Sequence, residues 1–251
     1  MMLCSRCSEP VPPVVAIDID GTLAPYHPHF IEFASSWLGY QPKRVEYEGG
    51  ERFRDWMCQT FGIDLSTFRS IKLAYRQGGL KRTMGTYPGA SDLTRLLREA
   101  GAEVWLTTTR PHNRYDRIDP DSVEWARRNN IEFDGLLFGE NKLGELARRI
   151  DPRRVVAVLD DLTWILDQAR IEHLGQPILR RSEWNMAASW SGWEFASLTG
   201  VASAIMELMR SYDEGNGAGS SDEGAVEHRV SDPRRVDPGR MDRGQLRLPG
   251  Y

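Results

Sequence analysis

At 251 residues, with 40% of them hydrophobic, the chain is long enough to bury one large core or two smaller ones. A formal net charge of -4 argues against a surface built overall for nucleic acid, while leaving room for a local basic groove. No apolar run reaches the ~20 residues that span a bilayer, and no charged N-terminal region precedes a long apolar segment, so a cytoplasmic protein without a membrane partner is expected.

Cys4, Cys7 and Cys58 form an odd set, so structural disulfides are not expected, and Cys4 with Cys7 lacks the second ligand pair of a tetrahedral zinc site. Residues 1–13 are a Pro-bearing lead-in. The run Val14-Val15-Ala16-Ile17 then predicts a buried strand that ends in Asp18-Ile19-Asp20-Gly21-Thr22-Leu23. Strand alternation puts Asp18 and Asp20 on one face and Ile17 and Ile19 on the other. Gly21 lets the chain leave the strand, and Thr22 can tie the turn through its hydroxyl.

Residues 24–87 carry helical patterns over 30–38, 48–61 and 66–76. Their aromatic residues, Phe30, Phe33, Trp37, Phe53, Trp56, Phe61, Phe68 and Tyr75, read mainly as the segment's own core, and a basic cluster of Lys72, Arg76, Lys81 and Arg82 closes it. A helix over 91–100 is stopped by Gly101, and a strand over 103–107 leads into Thr107-Thr108-Thr109-Arg110. Asp119-Pro120 reads as an N-cap with Pro at the first helical position, opening a helix to about 129. A short strand over 133–138 precedes Lys142 and an amphipathic stretch over 143–150. The apolar strand 155–159 ends in Asp160-Asp161, followed by a helix over 163–172, a strand over 177–179 and a helix over 198–212. From 213 to 251 the composition turns to Gly, Ser, Asp, Arg and Pro, which predicts a mostly disordered tail. One strand, a long insertion and then alternating helices and strands predict an α/β fold, a parallel sheet with helices on both faces.

Two carboxylates at a strand end are a place where phosphoryl chemistry can be built, and three further motifs follow in order: a Thr run at a second strand end, a Lys before a helix, and an acidic pair at another strand end. Over residues 14 to about 165 this series resembles the haloacid dehalogenase superfamily of phosphohydrolases. The resemblance implies a Rossmann-like core of residues 14–23 and 88–212 and a small helical cap, residues 24–87, inserted after the first strand. It implies Asp18 as nucleophile and Asp20 as general acid and base. Thr108, with Thr107 as the alternative, and Lys142 would donate to the phosphoryl oxygens. Mg2+ would be held by the Asp18 carboxylate, the Asp20 carbonyl and Asp160, with Asp161 behind them or as an alternate ligand. Thr107, Arg110, Lys72, Arg76 and Lys81 would bind substrate.

These residue types suit the reaction. A carboxylate attacks an anionic phosphate only when a cation screens their repulsion, and the covalent intermediate splits one hard displacement into two. A second carboxyl nearby protonates the leaving oxygen and then deprotonates water. The insertion length, the Pro88-Gly89 turn and the Leu159-Asp160-Asp161 ending resemble 5′-nucleotidases and related phosphatases, including those of phages, which implies a small substrate such as a nucleoside monophosphate. The tract Thr107-Thr108-Thr109-Arg110-Pro111 departs from that pattern and resembles the phosphatase half of polynucleotide kinase-phosphatases, so nucleic-acid ends are the alternative substrate. No phosphate-binding P-loop sequence is present. A non-catalytic binding protein retaining the fold is the third reading; loss of Asp18, Asp20, Lys142 or Asp160 would favour it, and all four are kept.

Overall fold

The computed structural model describes residues 11–43, 52–110 and 118–217. Cys4, Cys7, residues 44–51 at the start of the second expected helix, and the tail from 218 onward lie outside these residues.

The core alternates as the apolar runs require. Strand β1 (Val14–Asp18) is buried along its whole length, and a helical insertion follows it: α1 (Tyr26–Leu38), α2 (Phe53–Phe61) and α3 (Leu65–Gln77). A 3-10 turn, Leu80–Thr83, returns the chain to the core. Then come α4 (Ala90–Glu99), β2 (Glu103–Thr108), α5 (Ile118–Arg128), β3 (Gly135–Phe138) and α6 (Lys142–Arg149). The chain continues through β4 (Val155–Asp160), α7 (Thr163–Ile171), β5 (Gln176–Arg180), β6 (Trp193–Phe195) and α8 (Leu198–Gly217).

All six strands pair in parallel, in the order β3-β2-β1-β4-β5-β6. Parallel sheets need cover on both faces, and the side-chain clusters supply it. Val15, Ile17 and Ile19 pack with α4, α5 and α8 through Leu93, Leu97, Trp125, Val201 and Ile205. Val14 and Ala16 pack on the other face with Leu143 and Leu146 of α6 and Ile165 and Leu166 of α7. Each such buried aliphatic side chain contributes roughly 1.5–3 kcal/mol. The insertion has a core of its own, in which Phe30, Trp56, Phe61, Phe68 and Tyr75 are buried, as the aromatic pattern predicts.

Several boundaries differ from the sequence expectation. Helix α1 starts at Tyr26, with Pro28 in its first turn, where the missing N–H has no partner to lose. Helix α5 is already under way at Ile118, so Asp119 is not its cap, and Pro120 again falls in a first turn. Strand β6, with three residues at the sheet edge, is too short to leave a period-two pattern. Helix α8 runs to Gly217, so residues 213–217 of the expected tail are helical; extending a nucleated helix by a turn costs little.

β1 has β2 on one side and β4 on the other, so the strand order reverses beside it. Ligands in open α/β sheets bind beyond the carboxyl ends of the strands at such a switch point. Asp18, Thr107, Thr108 and Asp160 all stand there.

Candidate active site

The sheet register assembles the centre. Asp18 pairs with Thr107 of β2, and Ile17 with Leu159 of β4, which places Asp160 on the other flank of Asp18. Residues in register on neighbouring strands present their side chains to one face, so Thr107 rather than Thr108 shares a face with Asp18. Thr108 is fully buried and its Oγ1 accepts the Arg110 backbone N–H at 3.3 Å.

Lys142, the first residue of α6, lies wholly buried beneath this row. Its Nζ donates to Asp18 Oδ1 at 2.5 Å, to Asp160 Oδ2 at 2.6 Å and to Thr107 O at 3.4 Å. Burial alone would lower the lysine pKa, but Asp160 and then Asp18 raise it, so the ammonium stays charged. Asp18 is pushed up to about 7, mainly by burial and further by Asp160 and Asp20, against the pull of Lys142.

Asp20 belongs to a different set of partners. Arg110 grips it as a fork, Nε to Oδ2 at 3.0 Å and a terminal nitrogen to Oδ1 at 2.6 Å, and Lys81 of the 3-10 turn donates to the same Oδ2. The remaining Arg110 nitrogen donates to Ser122 Oγ of α5 at 2.7 Å. The Lys81 ammonium lies 3.8 Å from the centre of the Tyr26 ring, a cation–π contact inside a buried site. Burial would raise the Asp20 pKa, yet Arg110 and then Lys81 hold it well below the usual carboxylate range.

The turn after β1 is closed by backbone bonds, Leu23 N–H to Ile19 O at 3.0 Å and Gly21 N–H to Ala24 O at 2.9 Å. The Thr22 hydroxyl, expected to tie this turn, is buried and finds no partner. Gly21 is needed twice over: its φ is +95°, and a Cβ there would come within 2.0 Å of Asp161 Oδ2.

Asp18, Asp160 and Asp161 can each offer one carboxylate oxygen, all within 4.8 Å of one another and all buried. Both Asp160 oxygens are engaged, Oδ2 by Lys142 and Oδ1 by the Leu162 backbone N–H at 2.9 Å. Asp161 Oδ1 is buried and unpartnered, and its pKa is raised well above the ordinary value by burial, then by Asp160 and Asp18. Three hard oxygen donors that share a single ammonium fit a small divalent cation, with Asp161, whose Oδ1 has no partner, better placed to ligate than Asp160.

The structure therefore brings Asp18, Thr107, Lys142, Asp160 and Asp161 together as one group, with Asp20, Arg110 and Lys81 as a second group beside it. Arg110 and Lys81, expected on the substrate, are engaged with Asp20 instead. Lys72 and Arg76 of α3 lie within electrostatic reach: Lys72 is pushed down to about 8, by burial first and then by Arg76, while Asp20 opposes the shift. Sequence reasoning did not foresee Tyr26, Ser122 or Asn185 around the site. None of them sits in a recognisable motif, and each is recruited across the fold by a hydrogen bond or ring contact.

No family model and no curated protein matches this sequence. Solved structures do resemble the fold. A predicted phosphoglycolate phosphatase from Haemophilus somnus matches with a TM-score of 0.56 and 16% identity over 77% of this chain and 97% of its own. A haloacid dehalogenase family hydrolase from Deinococcus radiodurans, solved with bound phosphate and sodium, gives 0.55 and 15% identity over 78% and 96%. A subfamily IA haloacid dehalogenase hydrolase from Geobacter sulfurreducens gives 0.51 and 12% over 77% and 96%. The chain has the fold of these hydrolases, a parallel sheet with helices on both faces.

Proposed function

We propose that the protein is a Mg2+-dependent phosphomonoesterase working through a phosphorylated Asp18, on small phosphate esters with nucleoside monophosphates first among them. The observation that carries this reading is the buried Asp18 carboxylate at the switch point of the sheet, with Lys142 fixed on one oxygen and Thr107 and Asp160 on its flanks.

Lys142 fixes Asp18 Oδ1, leaving Oδ2 to attack phosphorus. The ester oxygen departs and takes a proton from Asp20; water then gives a proton to Asp20 and attacks the phosphorus, releasing phosphate and restoring the Asp18 carboxylate. Thr107 donates to the phosphoryl oxygens while their charge is redistributed, and the Lys142 N–H whose contact is longest, 3.4 Å to Thr107 O, would turn to join it. Clamped by Arg110 and Lys81, Asp20 is an anion suited to receive the proton of the water; for it to deliver one, those cations must turn away, and the incoming phosphate is the group that would draw them. Mg2+ held by the Asp18 carboxylate, Asp161 and the Asp20 carbonyl would screen the approach of two anions.

Lys72 of the insertion lies within electrostatic reach of Asp20, and Arg76 within that of Lys81, which supports a substrate with a second anionic or polar group. The aromatic side chains of the insertion are consumed in its own core and lend no support to base stacking, so the preference for nucleotides rests on the motif resemblance. The test is a panel of nucleoside monophosphates, sugar phosphates, 2-phosphoglycolate and 3′-phosphorylated oligonucleotides with Mg2+. We expect turnover of a small monoester, lost in EDTA and lost by on the order of 10^4-fold or more in Asp18→Asn. Better kcat/KM on oligonucleotide ends would replace the nucleotide reading with end processing, and undiminished activity of Asp18→Asn would remove the covalent mechanism.

A further inference from the structure

The last ladder pair between β4 and β5 joins Asp160 with Leu179. One residue further along each strand, the carbonyls of Asp161 and Arg180 lie beyond the ladder, and a single side chain serves both. Asn185 Nδ2 donates to Asp161 O at 2.9 Å and to Arg180 O at 2.8 Å, which uses both of its protons. Its Oδ1 accepts the Ser182 backbone N–H at 3.0 Å. The side chain is buried, so these bonds are not exchanged with solvent.

The loop is built to keep this amide in place. Asn185 N–H donates to Ser182 O at 3.2 Å, Ala188 N–H donates to Asn185 O at 2.9 Å, and Arg181 reaches the carbonyls of Asn185 and Ala188, each at 2.8 Å. The preceding residue, Trp184, anchors the loop from the other side, with its ring centre 5.0 Å from His27 and 6.4 Å from Phe53 and from Trp56. Below the amide, the Asp161 carboxylate is pressed against Gly21, where not even a Cβ could be accommodated. The Asp161 carboxylate thus packs on the β1 turn, and the main chain that carries it is tied at its carbonyl by Asn185.

We propose that Asn185 is a positioning residue for the cation site, setting the Asp161 carboxylate at ligating distance from Asp18. The proposal rests on the reading that Asp161 helps to hold Mg2+. Groups that orient metal ligands typically carry 10–100-fold in affinity, although they never touch the ion. Asn185→Ala removes the brace. Asn185→Asp keeps the size and the acceptor for Ser182 N–H, cannot donate to the two carbonyls, and adds a negative charge that by itself would attract a cation.

Titration of the full chain with Mg2+ by calorimetry, with melting of the metal-free proteins alongside, tests this. We expect wild type to bind, both variants to melt as folded proteins, and both to bind Mg2+ at least about tenfold more weakly. Turnover of Asn185→Ala should recover as Mg2+ is raised, which general damage to the fold would not allow. Binding within about twofold of wild type, tighter binding by Asn185→Asp, or loss of folding in both variants would overturn the proposal. If wild type itself binds no Mg2+, the metal reading fails first and takes this inference with it.

Discussion

The Lys142 ammonium lies 2.5 Å from Asp18 Oδ1 and is the one cation in direct contact with that carboxylate among the described residues. It is shared with Asp160 at 2.6 Å, and all three side chains are essentially removed from water. Such a group is held by mutual compensation: two buried anions tolerate each other because one buried cation touches both.

Lys142→Met should break that compensation and destabilise the fold by about 3–5 kcal/mol. Without the lysine, Asp18 binds its proton still more tightly in the folded than in the unfolded chain, so stability falls as pH rises. The loss relative to wild type, measured by urea unfolding, should be larger at pH 8 than at pH 5. An equal loss at both would show that the carboxylates are not the strained partners.

Asp20→Asn should slow esters with poor leaving groups by about 10^2-fold or more, and aryl phosphates much less, because a good leaving group needs little protonation. Arg110→Lys keeps the charge but loses the fork that orients Asp20, and should reproduce the same leaving-group dependence in weaker form. Equal slowing across a leaving-group series would take the proton-transfer role away from Asp20.

Lys72 is pushed down to about 8, so its charge is lost within the working range of pH. If it binds the remote anionic part of the substrate, KM should rise as pH climbs through 8, while Lys72→Met should show a higher KM without that rise. The stability effect has the opposite sign: between about 8 and the ordinary lysine value of 10.5 the unfolded chain binds the extra proton, so raising pH through that window stabilises the fold. A KM flat to pH 10 in wild type would separate Lys72 from the substrate.

Asp161→Asn should weaken Mg2+ binding more than Asp160→Asn, the reverse of the order expected from the motif alone. Asp160 has both oxygens engaged by Lys142 and Leu162, whereas Asp161 keeps Oδ1 unpartnered. Calorimetric titration of the two variants decides between them. A greater loss in Asp160→Asn would restore the original order.

The sheet and the row of acidic residues at its carboxyl edge were legible in the sequence because both depend on local pattern. Strands buried on both faces must be continuous apolar runs, and Val14-Val15-Ala16-Ile17 and Val155 through Leu159 are such runs, each ending in the acidic residues that the sheet then sets side by side. The insertion's aromatic core was legible for the same reason. Its entry and exit were not, because the Tyr26 start and the Leu80–Thr83 turn depend on what they dock against rather than on their own period.

What only the tertiary structure decided is which polar group meets which. Thr107 rather than Thr108 shares the Asp18 face because of strand register, which a run of three threonines cannot reveal. Asp20 is held by Lys81 and Arg110 from 61 and 90 residues away, and Asp161 by Asn185 from 24 residues away. Hydrophobic burial is non-directional and follows composition and period, so it can be read along the chain. A hydrogen bond or buried ion pair exists only at a particular distance and angle, and those are set by the packed fold.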